Sequence, residues 1–327
     1  MTTSGTYSFT VTRDDIIREA MLNIGKLGEA EVPTAQETTD CARKLNMLVK
    51  QWMGKADFAP GLKMWTRRHG DLFLSNATGQ YNLGPTGDNW TNQSYQRQTT
   101  ATAAAAATSI QAPISNVNAS DYIGIVLDSG ALFWTTVSGA PSGSTITLSA
   151  GLPSQASSGA FVFNYTTKAQ IPIEIETVVL RYNNGNDVPL GIMTVQEYDA
   201  LPLKSSTTYV GDPNAIYYEP QLSNGVLYTD VGAAADVTKR LHMTWLEPIQ
   251  DFNNPTDNPE FPQEWFLPLS GGLSKQIAPM FRAVWDQLME ENYKESLSIA
   301  RALYAETSSL HFEPGNDDGS WHSGPRR

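Results

Sequence analysis

One cysteine, Cys41, is all the chain contains. It excludes an internal disulfide and any multi-cysteine metal site. Its place in a helical pattern makes it a small buried apolar residue. No run of about 18 apolar residues occurs, so the usual signature of a membrane span is missing. Positive charge is scarce: 22 Lys and Arg stand against 34 Asp and Glu, a formal net charge of -12 over 327 residues. Such a surface disfavours stable wrapping of nucleic acid, because nothing offsets phosphate repulsion. It can still border a path along which a duplex slides. Residues 1–15, "MTTSGTYSFTVTRDD", have no basic n-region and no apolar h-region, so no secretory signal is expected. Folding in the cytoplasm is expected, and Asn-x-Ser/Thr triplets such as Asn164-Tyr165-Thr166 are then chance matches.

Chemical motifs are equally sparse. There is no P-loop, no G-x-G-x-x-G after a strand, no H-E-x-x-H and no G-x-S-x-G elbow. The four histidines, His69, His242, His311 and His322, lie far apart, and His242 beside Met243 and Trp245 reads as a packed or edge histidine. Acidic runs such as "QLMEENYKES" read as a solvated helix face. "LSGGLSK" (269–275) lacks the preceding strand and the G-K-[ST] ending of a phosphate loop, so a helix break is expected there. No catalytic, metal-binding or cofactor-binding residue is expected, and no enzymatic activity.

What is present is patterned. Thr12 and Asp15 have capping-box spacing, followed by Ile16, Ala20 and Ile24 on one helical face and stopped by Gly25 and Gly28. Thr34 and Glu37 repeat the box after Pro33. Cys41, Leu45, Leu48 and Trp52 then form one apolar stripe, ended by Gly54. The two helices are expected to form a hairpin. Leu72–Ser75 and Gln80–Leu83 read as a β-hairpin around "NATG". Lys63, Trp65, Arg67 and Arg68 make a dense basic-aromatic cluster. It either contacts a phosphate or acidic partner, or is solvated beside a partly packed Trp.

Residues 98–167 hold only two charges, Asp121 and Asp128. "QTTATAAAAATSIQ" at its start reads as a linker. Strands follow at 123–127, 132–137, around Ile146 and Leu148, and at 161–165, between Gly/Ser/Pro turns, as in a small sandwich or barrel. Tyr122, Phe133 and Trp134 are its candidate contact residues. "IEIETVVLRYNN" reads as a strand, and "TVQEYDALP" as a short helix capped by Thr194 and Glu197. "AIYYEP", "GVLYTD" and "RLHMTWLEP" read as a three-stranded meander, and "DFNNPTDNPEFP" as a loop. A long helical stripe follows through Ile277, Phe281, Val284, Trp285 and Leu288, then Leu297, Ala300 and Tyr304, with a break near Asn292 and kinks at Pro268 and Pro279. Residues 311–327 have the composition of an unfolded tail. Trp321, His322, Arg326 and Arg327 there are either a strip that orders on a partner or an incidental end. The expected class is α+β: a helical body with a β-meander (1–97 and 168–310) and an inserted small all-β module (98–167).

Three stretches together resemble a known family: 13–53 leading into "KMWTRRHGDLFLSNATGQYNLGP", the strands after 173, and "NPEFPQEWFLPLSGGLSKQIAPMF" with the helices behind it. The layout, over most of 8–310, is similar to the head-to-tail adaptors of short-tailed bacteriophages, also called tail accessory factors or packaged-DNA stabilisation proteins. The resemblance implies a virion connector in the neck or tail, assembled in the host cytoplasm, as a homo-oligomeric ring of about twelve copies. Its implied partners are the portal protein, the tail nozzle protein and, through the β-module, a tail fibre. Double-stranded DNA passes its lumen without sequence-specific binding, and no membrane is involved. The strip at Trp321, His322, Arg326 and Arg327 is then the portal-binding tail. A peptidoglycan hydrolase and a host- or glycan-binding module are the alternatives.

Overall fold

The computed structural model describes residues 5–6, 8–28, 30–53, 65–204 and 206–303. Both helices and sheets are present, and the class is α+β. Contacts divide the chain into two compact units. One comprises Met1–Leu48, Gly54–Met64 and Phe252–Arg327, and the other Val49–Met53 and Trp65–Asp251. The residues expected to form a β-module, 98–167, lie inside the second unit.

Helix α1 (Arg13–Asn23) starts on the Thr12 capping box, in which Asp15 N–H donates to Thr12 Oγ1 and Thr12 N–H to the Asp15 carboxylate. It ends where Gly25 takes φ +67°. Helix α2 (Ala35–Trp52) starts on the Thr34–Glu37 box. Cys41, Leu45, Leu48 and Trp52 are all buried. Burial pushes the Cys41 thiol up to about 11, which makes it unreactive.

The first unit closes on α4 (Phe266–Ile277), entered through a 3-10 turn at Gln263–Trp265. Helix α1 packs chiefly on α4, not on α2, which corrects the expected helical hairpin. Ser274 Oγ donates to Ala20 O (3.1 Å) and to Ser270 O (2.7 Å). Small residues let the two backbones approach. "LSGGLSK" is therefore no helix break: it lies inside α4, with Ser270, Gly272 and Ser274 buried. Pro268 sits in the first turn, where its missing N–H has no intrahelical partner to lose.

The helix stops at Ile277 instead. Pro279 and the left-handed Arg282 (φ 55°) make a turn before α5 (Gln287–Leu303). No break occurs at Asn292, and the expected continuous stripe is divided. Ile277 is buried in α4, whereas Val284 and Leu288 are exposed. Asp286 Oδ1 accepts from Met289 N–H (2.8 Å) and starts α5.

The second unit is β-rich. Its strands are β1 (Arg67–Phe73), β2 (Gln80–Leu83), β3 (Trp90–Thr91), β4 (Tyr95–Gln98), β5 (Ser109–Gln111), β6 (Tyr122–Val126), β7 (Leu132–Thr136), β8 (Thr145–Thr147), β9 (Phe161–Tyr165), β10 (Glu174–Arg181), β11 (Asp187–Pro189), β12 (Gly191–Ile192), β13 (Val210–Gly211), β14 (Ala215–Glu219), β15 (Gly225–Thr229), β16 (Ala233–Ala234) and β17 (Arg240–Leu246), with the short helix α3 (Val195–Asp199) between β12 and β13. One sheet runs β11-β10-β17-β1-β3, and another β12-β14-β15-β2. They share a core in which Leu72, Leu180 and Met243 of the first meet Leu83, Ile216 and Leu227 of the second. Trp90 and Trp245 pack at 4.5 Å within it.

Two expected hairpins do not form. β1 and β2 lie in different sheets: β1 pairs with β17 and β3, and β2 with β15. Tyr81 Oη, bonded to Ser75 N–H and Thr78 O, braces the loop between them. The meander stops after β14–β15. The connector diverts through β16, which pairs in parallel with β13, and β17 enters the centre of the other sheet between β1 and β10. Leu241, Met243 and Trp245 all point into the core there, so central placement buries every inward residue of β17.

Strands β4-β9-β6-β7 form the sheet of the low-charge module, with β5-β8 beside it. Ile123, Ile125 and Val162 fill its interior. The alanine run is no linker. Ala103 is buried and bonds Ala156 in both directions, and Ala106 N–H donates to Leu152 O (2.8 Å). Alanine side chains are small enough for this segment to lie flat against the module core.

Candidate functional site

Among the described residues, several places carry chemistry or contact potential. The first surrounds Asp71 on β1. The carboxyl is buried, and it accepts from His242 Nδ1–H (2.8 Å) on β17 and from Ser94 Oγ–H. The Arg240 guanidinium stands 3.2 Å from its second oxygen. Burial alone pushes Asp71 up. His242, Arg240 and Ser94 outweigh that and hold the carboxyl below its ordinary value. Arg240 also donates to Gln96 Oε1 (2.6 Å) and lies 5.9 Å over the Phe163 ring. Ser94 and His242 bind different oxygens of one carboxylate, so this is a charge clamp joining β1, β17 and the start of the module. Sequence reasoning placed His242 in a packed setting but did not find Asp71. The β1–β17 register, Asp71 opposite His242, is what pairs them across 171 positions.

The second place is the aromatic face of the module. Tyr122 stacks on Tyr165 (4.9 Å, 19°), with Lys168 Nζ 5.3 Å over its ring. Trp134 meets Phe73 of β1 edge-on (4.9 Å, 62°), and Phe163 lies 5.1 Å from Phe73. Of the three candidate contact residues, Tyr122 and Trp134 thus share one face. Phe133 turns to the other face and packs on the module interior. Gly124, opposite Trp134, leaves room for that ring: a Cβ there would stand 2.8 Å from it.

Arg67 and Arg68 of the basic-aromatic cluster are held in ion pairs. Arg67 Nε donates to Glu176 (2.6 Å), and Arg68 Nε to Glu247 (3.0 Å) while its Nη1 reaches Trp65 O (3.0 Å). Lys63 lies outside the described residues, as do Trp321, His322, Arg326 and Arg327.

The third place is a cleft of about 300 Å3 in the helical unit, between α1, α4 and α5. Asn23, Ser274, Trp285, Met289 and Tyr293 are among its walls. Trp285 Nε1–H donates to Glu290 (2.9 Å), which also pairs with Lys275 (2.7 Å) and Lys294 (3.2 Å). The Lys275 bond leads these in pulling Glu290 down to about 2. Leu267 lines the cleft and is 67% exposed. Val284 (79%) and Leu288 (65%) adjoin its residues Trp285 and Met289 in sequence.

Among the described residues no group of three or more His, Cys, Asp or Glu could hold a metal ion. None of the described helices is long and apolar enough to cross a membrane. Compared with known proteins, the chain matches no family model and no curated sequence.

Proposed function

We propose that the chain is a structural virion protein, a head-to-tail adaptor whose copies form a ring between portal and tail nozzle and help retain packaged DNA. The observation that carries this reading is the apolar surface of the helical unit. Leu267, which lines the cleft, and Val284 and Leu288, next in sequence to the cleft residues Trp285 and Met289, are large and exposed, as on a surface that a protein partner covers. The resemblance read from the sequence supplies the partner, the portal. The net charge of -12 suits a lumen that repels the duplex and lets it slide.

Mixing the purified chain with purified portal rings tests the proposal, read by sedimentation and by cryo-microscopy. A stoichiometric complex is expected. Portal rings that sediment without the chain at every concentration refute the adaptor reading.

A further inference from the structure

The outer strands of the module sheet are β4 and β7, each covered by its own chain at one end only: residues 147–149 pair with 136–138, and Gln111 bonds Thr100. On β4 the hydrogen bonds show which backbone groups face outward. Thr99 N–H donates inward to Ala160 O (2.9 Å), and Thr100 N–H turns away to Gln111 O (2.8 Å). An antiparallel ladder alternates strictly, so Tyr95 and Arg97 also face β9, and the backbone of Gln96 and Gln98 faces out. It opens on a slot of about 520 Å3 whose other wall is Pro113, Ser115 and Asn116.

At the far end, Val137 N–H donates inward to Asp121 O (2.9 Å), while Thr136 O accepts Ser149 N–H (2.9 Å) from the outer side. The same alternation turns the backbone of Leu132 and Trp134 outward.

Exposed edges in soluble proteins are usually guarded by a lysine, a proline or a bulge, because they recruit further strands. β7, "LFWTT", has none of these, and residues 147–149 cover it only from Thr136 on, which leaves the outward backbone of Leu132 and Trp134. We propose that the module sheets of neighbouring copies of this chain join edge to edge, β7 of one copy entering the slot beside β4 of the next.

Strand geometry fits this pairing. Four antiparallel strands leave β7 and the next β4 running in opposite directions. Gln96 and Gln98 share a sheet face with Phe161 and Phe163, and Leu132 and Trp134 share the same face through Gly124. With Gln98 opposite Leu132, and Gln96 opposite Trp134, the outward groups meet as hydrogen-bonded pairs with side chains in phase. An odd number of strands would have put them out of phase.

Charge fits as well. In a chain of net charge -12, residues 98–167 hold only Asp121 and Asp128. Asp121 is bound by Asn118 N–H and Asn164 Nδ2, and Asp128 by Ser157 and Gln155. The Arg97 guanidinium is turned to its own chain, on Pro113 O, Ser115 O and Asn164 Oδ1. Two copies therefore meet here without the repulsion that separates the rest of their surfaces. Because the two edges are unlike, the contact is head-to-tail, the class that closes rings. The inference rests on the adaptor reading for ring closure alone.

Disulfide trapping tests it. Gln98→Cys and Leu132→Cys are introduced together and singly, in both Cys41→Ser and unchanged backgrounds. A hydrogen-bonded antiparallel pair puts the Cα atoms about 5.5 Å apart, within disulfide reach. Mild oxidation of the double variant should give a ladder of dimers, trimers and larger species, and each single variant should stay monomeric. A double variant that stays monomeric at the highest soluble concentration overturns the proposal. So do dimers from either single variant, since like edges would then be meeting. Portal binding by the reduced double variant separates the two readings: a chain that binds portal but forms no ladder refutes only the edge pairing.

Discussion

Asp71 and His242 stand opposite each other on the neighbouring strands β1 and β17, and His242 Nδ1–H donates to Asp71 Oδ1 across 2.8 Å. Arg240, two residues earlier on β17, forms an ion pair with the buried carboxylate, and Ser94 donates a hydrogen bond to it. Asp71→Asn keeps the shape but leaves Arg240 without its counter-charge. We expect a loss of about 3 kcal/mol, as for breaking a buried pair from one side, measured by urea unfolding. The folded-state pKa lies below the unfolded one, so the stabilisation is full above the ordinary carboxylate range and fades as pH falls through the lowered value. The variant's stability should accordingly be flatter than the wild type's at acid pH.

Gly124→Ala should cost about 1–3 kcal/mol, as overpacking in a core does. Its new methyl would stand 2.8 Å from the Trp134 ring. A red shift of tryptophan emission should accompany the loss, and an unchanged unfolding midpoint would contradict the packing described.

Phe73 is the residue of β1 on which Trp134, Phe163 and Tyr165 converge. Truncation to alanine should cost about 3–5 kcal/mol. Hydrogen exchange should rise first in β6, β7 and β9, whose aromatic face loses its anchor. Uniform exchange changes over both large sheets would count against this assignment.

Glu290 binds Lys275 of α4, Trp285 and Lys294. Led by the Lys275 bond, these contacts move its pKa from an ordinary 4.5 to about 2. A depressed pKa stabilises the fold above the ordinary value, and that stability is lost as pH falls through about 2. Glu290→Gln should unfold at lower temperature near neutral pH, with the difference shrinking on acidification. A constant difference at all pH values would refute the ion-pair account.

Val284→Ser with Leu288→Ser changes two exposed side chains. Stability should move by no more than about 0.5 kcal/mol per site. Portal binding should weaken at least tenfold by sedimentation titration. Unchanged binding would remove the apolar surface from the adaptor interface.

Local signals were legible in the sequence, because they act over one turn or one strand. The boxes at Thr12, Thr34 and Thr194 cap the helices they announced. The alternation of Ile123, Ile125 and Leu127 marks a buried strand face. The expected break at "LSGGLSK" failed because glycine's helix penalty is about 1 kcal/mol, which tight packing of Ser270, Gly272 and Ser274 offsets. The linker expected at the alanine run failed for a related reason. Small side chains carry no periodic signal, yet they allow close backbone pairing with Leu152 and Ala156.

The sequence by itself determined the α+β class, the helix starts, most strand positions, the buried cysteine and the charge-poor stretch from 98 to 167. Those follow from propensity, capping and alternation, which each residue expresses with its near neighbours. Tertiary structure alone decided which strands pair: that β1 leaves β2 for β17, that β17 leaves the meander, and that Asp71 meets His242. Pairing is set by which arrangement buries the most apolar surface, a sum over the whole fold that no short stretch contains.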